Sequence, residues 1–383
     1  MRNLKTVNYD EMFTLSAPSP KWVWNAQGQL VEIPAGQPAW DHDPVTGEPL
    51  GQRLEGEATN YVGHSEDFSQ WAGAGDFYSI TNNIGGAPDG GDYQTITKPG
   101  AAGVLTYEFV PPAGPGIIKL RYKNPQNFSG TWSFLLRNRD TATSLSFFLN
   151  IHPNGDTSGP AYVEKIGEWN VATFFYDGSG HSAGDRLIVY ANSGAGSGEG
   201  ASLDLWGYEY KPGATDSSYI RTTDGSAVTR AADVATIENV DAAKWFGKEA
   251  GWFGLRVTPY QNETQDGYLY ASSNQRLLYN SNGRLRMWDG ENATPGGPVP
   301  TPNVELIICG TWSSGASTMK LASSDTVVIQ KSSYNGIFSS IQSIPLMRNE
   351  PSRTTGSVVY DLRFGKRFLS DAEMQSKIQE LTS

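Results

Sequence analysis

The residues of this chain whose types suit chemistry are scattered. The four histidines, His42, His64, His152 and His181, occur singly, and no pair has the i, i+4 spacing that sets two imidazoles around zinc on one helical face. Asp41, His42 and Asp43 could seed a metal site, but Pro44 and the ValThrGlyGlu run after it favour chain reversal, so a turn is the preferred reading. Asp289 to Asn292, AspGlyGluAsn, offers hard oxygen ligands for calcium at a sandwich rim and is also a good turn, which is again preferred. No GxSxG segment announces a serine nucleophile. Any two of the 40 acidic residues could fall the roughly 5–9 Å apart that glycoside cleavage needs, but solvated surface acids are the simpler account. These readings assign no catalytic residue, no metal and no cofactor.

Binding chemistry has better candidates. Sugar recognition uses exposed aromatic faces beside hydrogen-bonding groups. Trp288 falls on the Arg284/Arg286 side of a strand, opposite Leu285 and Met287; Trp252 sits likewise with Arg256, and Trp312 lies in a Gly/Ser-rich stretch. These three are the candidate glycan contacts, with core or interface packing as the plainer reading. Trp22, Trp24 and Trp40 stand in a breaker-rich segment and must dock onto something, either the protein's own body or a neighbouring subunit.

The elements that would position these side chains are strands. The 383 residues suit two domains plus an extension, on a prior of roughly 150 residues per domain. Glycine (43) and proline (22) punctuate short strands, and 11 Trp, 18 Tyr and 15 Phe supply large apolar groups. Period-two alternation is clear in Leu105/Tyr107/Phe109 and in Ile118/Leu120/Tyr122 against Lys119/Arg121/Lys123, with one face toward a core and the other toward water. It resumes in Phe253/Leu255/Val257, Leu285/Met287, Val304/Leu306/Ile308 and Val358/Tyr360/Leu362/Phe364. Near the end, Ser370 and Glu373 form a capping box, Leu369 and Met374 a staple, and Met374, Ile378 and Leu381 one apolar face, which predicts a short helix.

The expected fold is all-β: two tandem jelly-roll-type antiparallel β-sandwiches with an extended N-terminal arm and a short C-terminal helix. The expected divisions are an arm over 1–59 serving as an anchor, a first sandwich over 60–212, a linker over 213–230 and a second sandwich over 231–383. A net charge of −11 without basic runs argues against nucleic acid. No run of about 20 apolar residues is present to insert in a membrane, and the start, MRNLKTVNYDEMF, lacks the apolar core of a signal peptide. The lone Cys309, within ValGluLeuIleIleCys, reads as a small buried hydrophobe.

Several phrases carry a resemblance. DHDPVTGEPLGQRLEGEATNYVGHSEDFSQW (Asp41 to Trp71), TNNIGGAPDG (Thr81 to Gly90) and LDLWGYEYKPGATDSSYIRTTDGSAVTRAADVATI (Leu203 to Ile237) resemble virion fibre, spike and head-appendage proteins of phages and prophages. DLRFGKRFLSDAEMQSKIQEL (Asp361 to Leu381) looks like the last strand and helix of concanavalin A-like or laminin G-like sandwiches, and the first module looks like a carbohydrate-binding module. The resemblance implies a non-enzymatic structural part of a phage particle, assembled in the bacterial cytoplasm. It implies a homo-oligomer, expected to be a trimer, whose arm (Trp22, Trp24, Trp40) joins capsid, portal or tail proteins and whose sandwiches meet host surface polysaccharide. The alternatives are a purely architectural capsid or tail cement and a glycan-depolymerising tail spike.

Overall fold

The computed structural model describes residues 13–74, 78–98, 104–126, 131–152, 156–193, 200–213, 216–238, 246–259, 267–272, 275–301, 304–324, 326–336, 338, 341, 343–350, 353–354 and 357–382. The protein is all-β, with two antiparallel sandwiches and one α-helix among the described residues.

In the first sandwich, a six-stranded sheet runs in the order Tyr162–Ile166, Trp169–Tyr176, Gly116–Gln126, Ser202–Pro212, Tyr93–Thr97, Ser79–Asn83. It faces a five-stranded sheet ordered Thr157–Ser158, Ser144–Ile151, Trp132–Asn138, Leu187–Ser193, Leu105–Phe109. The alternation works as the pleat requires: Ile118, Leu120 and Tyr122 enter a core with Trp132, Phe134, Phe148 and Leu205. The opposite face is not open to water throughout. Arg121 is 5% exposed, its guanidinium lying 4.9 Å from the ring of Tyr219 and 5.3 Å from that of Trp206, because a later segment of the chain folds over it.

In the second sandwich, a six-stranded sheet runs Phe13–Ser16, Val234–Ile237, Ile344–Leu346, Gly267–Ser272, Gln275–Ser281, Arg284–Trp288. Its partner has seven strands, ordered Thr326–Ser333, Thr318–Ser323, Leu306–Ser313, Ala250–Pro259, Ser357–Gly365, Pro49–Leu54, Trp40–His42. Phe253, Leu255, Val257, Met287, Leu306 and Ile308 line the core as the alternation predicts. Val304 instead precedes its strand and is 50% exposed. A bulge opposite Arg256 and Val257 turns Val359, not Tyr360, toward the core, and Tyr360 pairs with the Arg256 guanidinium at 5.1 Å. The helix Asp371–Thr382 lies on the outer face of the seven-stranded sheet, where Met374 and Leu369 pack with Trp252, Cys309 and Ala322. Its capping box is formed: Glu373 N donates to Ser370 Oγ at 3.3 Å and Ser370 N to Glu373 Oε2 at 2.8 Å. Cys309 is buried, and burial pushes its thiol up to about 12.

The arm is extended but is not a separate unit. Phe13–Ser16 pairs with Val234–Ile237, and Pro49–Leu54 pairs with Ser357–Gly365, so residues expected to stand apart complete both sheets of the second sandwich. Between them the hairpin Lys21–Trp24/Leu30–Ile33 lies on the outer face of the first sandwich, with Trp22 and Leu30 against Trp169, Trp206 and Tyr219. The arm cannot bury enough apolar surface to fold alone, and here it does so by spanning both modules.

Candidate functional site

Where the arm, the segment after Pro212 and the two sandwiches meet, charged side chains are enclosed. Lys21 Nζ lies 2.7 Å from Asp233 Oδ2, with side-chain exposures of 1% and 2%. The same oxygen accepts from Glu55 N at 2.7 Å. The Glu55 carboxylate is held by Arg230 at 2.5 Å, Arg53 at 2.8 Å, Ser218 N and Ser218 Oγ, and Arg53 continues to Asp41 at 2.7 Å. Burial disfavours the charge on Glu55, but Arg230 and Arg53 outweigh it and hold the carboxyl far below the usual range. At Asp233, burial prevails over Lys21 and the pKa is raised. A second group, Glu209 with Lys211 at 3.0 Å and Arg121 at 3.4 Å, lies on the first sandwich's outer face, where burial depresses the Lys211 pKa against the pull of Glu209. Such pairs contribute little net stability, yet each fixes geometry because leaving either partner unpaired is costly.

Beside this network, Trp22 meets Tyr219 edge-on at 5.9 Å, and the Arg221 guanidinium lies 4.5 Å from the Trp22 ring centre. Arg221 is fixed by Glu66 at 2.7 Å and Asp89 at 2.6 Å. A shallow cleft opens here, bordered by Ser19, Trp22, Glu32, Tyr219, Arg221 and Thr229. The joint holds segments in place, each of its carboxylates being bound by cations, hydroxyls or backbone amides from another segment.

The sequence-derived candidates do not converge. Trp312 is fully buried, packed with Phe246 and Phe338, and its Nε1 donates to the Gly247 carbonyl at 2.9 Å. Trp252 does face away from the core, but the helix covers it: 6% is exposed, and Lys377 lies 5.4 Å from its ring. Neither can stack on a sugar. Trp288, on the other sheet, is partly exposed, with the Arg276 guanidinium 5.3 Å from its ring. Of the arm tryptophans, Trp22 is 7% exposed and Trp24 half-buried, both spent on the protein's own body. Trp40, 47% exposed, sits on the edge strand of the seven-stranded sheet.

The two metal candidates are turns. Asp43 Oδ1 accepts from Val45 N and Thr46 N at 2.8 and 2.7 Å, which lowers its pKa, and Asp41 accepts from Trp24 N and Arg53. Asp289, fully buried, accepts from the amides of Glu291, Asn292 and Asn335 at 2.9, 2.7 and 3.0 Å.

Two aromatics passed over in the sequence are exposed on the first sandwich: Tyr162 at 66% and Phe175 at 53%. The signal was present. In Val171–Tyr176 the pleat sends Phe174 and Tyr176 inward, so Phe175 must point outward. Tyr162 stands opposite Thr173 on the neighbouring strand, hence on the same outer face.

No family model matches the chain, and no curated protein matches it. Among solved structures, it is similar to the CBM40 of the Ruminococcus gnavus IT-sialidase bound to α2,3-sialyllactose, at 14% identity and TM-score 0.27, over 34% of this chain and 82% of that one. It is similar to domains LG4–5 of the mouse laminin α1 chain at 11% identity and TM-score 0.25, over 70% and 86%. It is also similar to the tail fibre protein gp63.1 of an Escherichia coli phage at 10% identity and TM-score 0.20, over 82% of this chain and 40% of the fibre protein.

Proposed function

We propose that this chain is a non-enzymatic structural subunit of a bacteriophage particle that holds two β-sandwiches in fixed relation and presents them to host surface polysaccharide. One observation carries the reading. The two longest stretches by which the chain resembles phage appendage proteins, Asp41 to Trp71 and Leu203 to Ile237, meet in the buried joint through Glu55 with Ser218 and Arg230, and Glu66 with Tyr219 and Arg221. Those phrases therefore encode a brace, which suits a part that must keep its modules aligned on a particle. The exposed aromatics and the net charge of −11 suit contact with sugar better than contact with nucleic acid.

The test pairs two measurements. Antibodies against the purified protein should label phage particles that carry its gene, in immunogold electron microscopy; unlabelled particles would end the particle reading. Fluorescently labelled protein should adsorb to host cells without releasing reducing sugar ends. Released ends would make it a depolymerising spike, and absence of adsorption together with fragile particles lacking the protein would make it a cement.

A further inference from the structure

We infer that Tyr162 and Phe175 form a stacking platform for an uncharged oligosaccharide on the outer face of the first sandwich, an inference that rests on the reading of polysaccharide contact given above. Tyr162 lies directly opposite Thr173, and Phe175 is two residues further along that strand. The two rings are thus diagonal neighbours on one sheet face, with Cβ atoms at most about 7–8 Å apart. Such a spacing lets two consecutive sugar rings each meet one aromatic. Neither ring is engaged with another aromatic or a cation among the described residues, and each residue keeps more than half of its surface exposed.

The platform is held rigid. Phe175 is in register with Ile117 of the strand Gly116–Gln126, and Tyr162 begins the edge strand, which pairs with Trp169–Tyr176 from Thr173 onward. A ligand there orders no backbone on binding, which keeps its entropic cost low. Polar groups stand at the right places. Thr173 also pairs in register with Lys119, whose Nζ reaches Asp216 Oδ2 at 2.5 Å, so an ion pair with partly exposed side chains borders the patch on its inner side. Glu164, exposed, follows Tyr162 on the same strand face.

The size and charge select the occupant. Two exposed side chains fall far short of the roughly 800 Å² per partner that a stable protein interface buries. The adjoining Lys119, Asp216 and Glu164 leave one net negative charge, and the chain as a whole carries −11, so a polyanion is repelled while hydroxyl groups find both donors and acceptors.

The probe is a glycan array of uncharged hexose oligomers and acidic oligosaccharides, followed by calorimetric titration with the best uncharged oligomer, using the full chain. The wild type should bind uncharged oligomers, and Tyr162→Ala/Phe175→Ala should weaken that binding about tenfold or more with an unchanged melting curve. Val304→Ala, an exposed apolar position on the other sandwich, should bind as the wild type does. Retained binding in the double variant, array signal confined to acidic glycans, or no signal at all would each overturn the platform. So would a wild-type oligomer that the double variant dissolves in light scattering, which would make the patch a contact between copies. Particle labelling by antibody is read separately, so a failed platform and a failed particle assignment are distinguishable.

Discussion

Lys21 Nζ and Asp233 Oδ2 lie 2.7 Å apart, both out of contact with water, one on the arm hairpin that rests on the first sandwich and the other entering a strand of the second. Replacing Lys21 by Met leaves Asp233 buried beside Glu55 without its cation. Chemical denaturation should show a loss of about 3–5 kcal/mol. A midpoint within error of the wild type would mean the pair is dispensable to the joint.

The two surfaces bearing aromatics should respond oppositely to truncation. Trp312→Ala opens the core of the second sandwich and should cost about 3–5 kcal/mol. Phe175→Ala removes an outward ring and should stay within about 0.5 kcal/mol. Thermal melts of the two variants side by side make the comparison.

Met374 anchors the helix on the seven-stranded sheet beside Trp252 and Leu369. Met374→Asp puts a carboxylate into that dry contact, so hydrogen exchange of residues 371–382 should accelerate toward that of an isolated helix, which at 12 residues is marginal. Unchanged protection would contradict the docking.

The capping box makes a pH signature. Hydrogen bonds from Ser370, backbone first, and Arg367 lower the Glu373 pKa from its ordinary 4.5 to about 2. Its folded pKa is depressed, so its stabilisation is complete above the ordinary carboxylate range and is lost as pH falls toward about 2. Ser370→Ala should cost about 1 kcal/mol at neutral pH. The gap between the wild type and Glu373→Ala, followed by denaturation at successive pH values, should narrow between 4.5 and about 2; a constant gap would assign the loss to something other than the Glu373 carboxylate.

Removal of residues 1–50 deletes Phe13–Ser16, the hairpin containing Lys21 and the edge strand Trp40–His42. The truncated chain should therefore melt at lower temperature and precipitate, where a detachable anchor would leave a stable body. An unaltered melt would show that the strands added by the arm are ornamental.

Period-two alternation made the sandwiches legible because a pleat turns sequence parity into a face: Ile118, Leu120, Phe253 and Leu255 all point as parity requires. Parity also held the answer for Trp312, which continues the inward series Leu306 and Ile308, and for Phe175, which breaks the inward series of its neighbours. What parity cannot say is what comes to rest on an outward face. Arg121 and Trp252 point outward and are nonetheless buried, one beneath Tyr219 and the other beneath the helix, because their covers arrive from segments remote in sequence. The joint was hidden for the same reason: Lys21 finds its partner 212 residues along the chain, and Glu55 finds Arg230 at a separation of 175.

Pairing of Leu54 with Ser357 and of Phe13 with Ile237 has a consequence for the order of synthesis. A ribosome delivers the arm before both partners, Val234–Ile237 following the first sandwich and Ser357–Gly365 following much of the second, so the first sandwich can close while Phe13–Ser16 and Pro49–Leu54 are still unpaired. During that interval the unpaired edges and Trp40 are open to the matching strands of any sister chain nearby. The same delay that makes the arm a late fastening within one molecule thus creates a window in which chains on one messenger can trade arms.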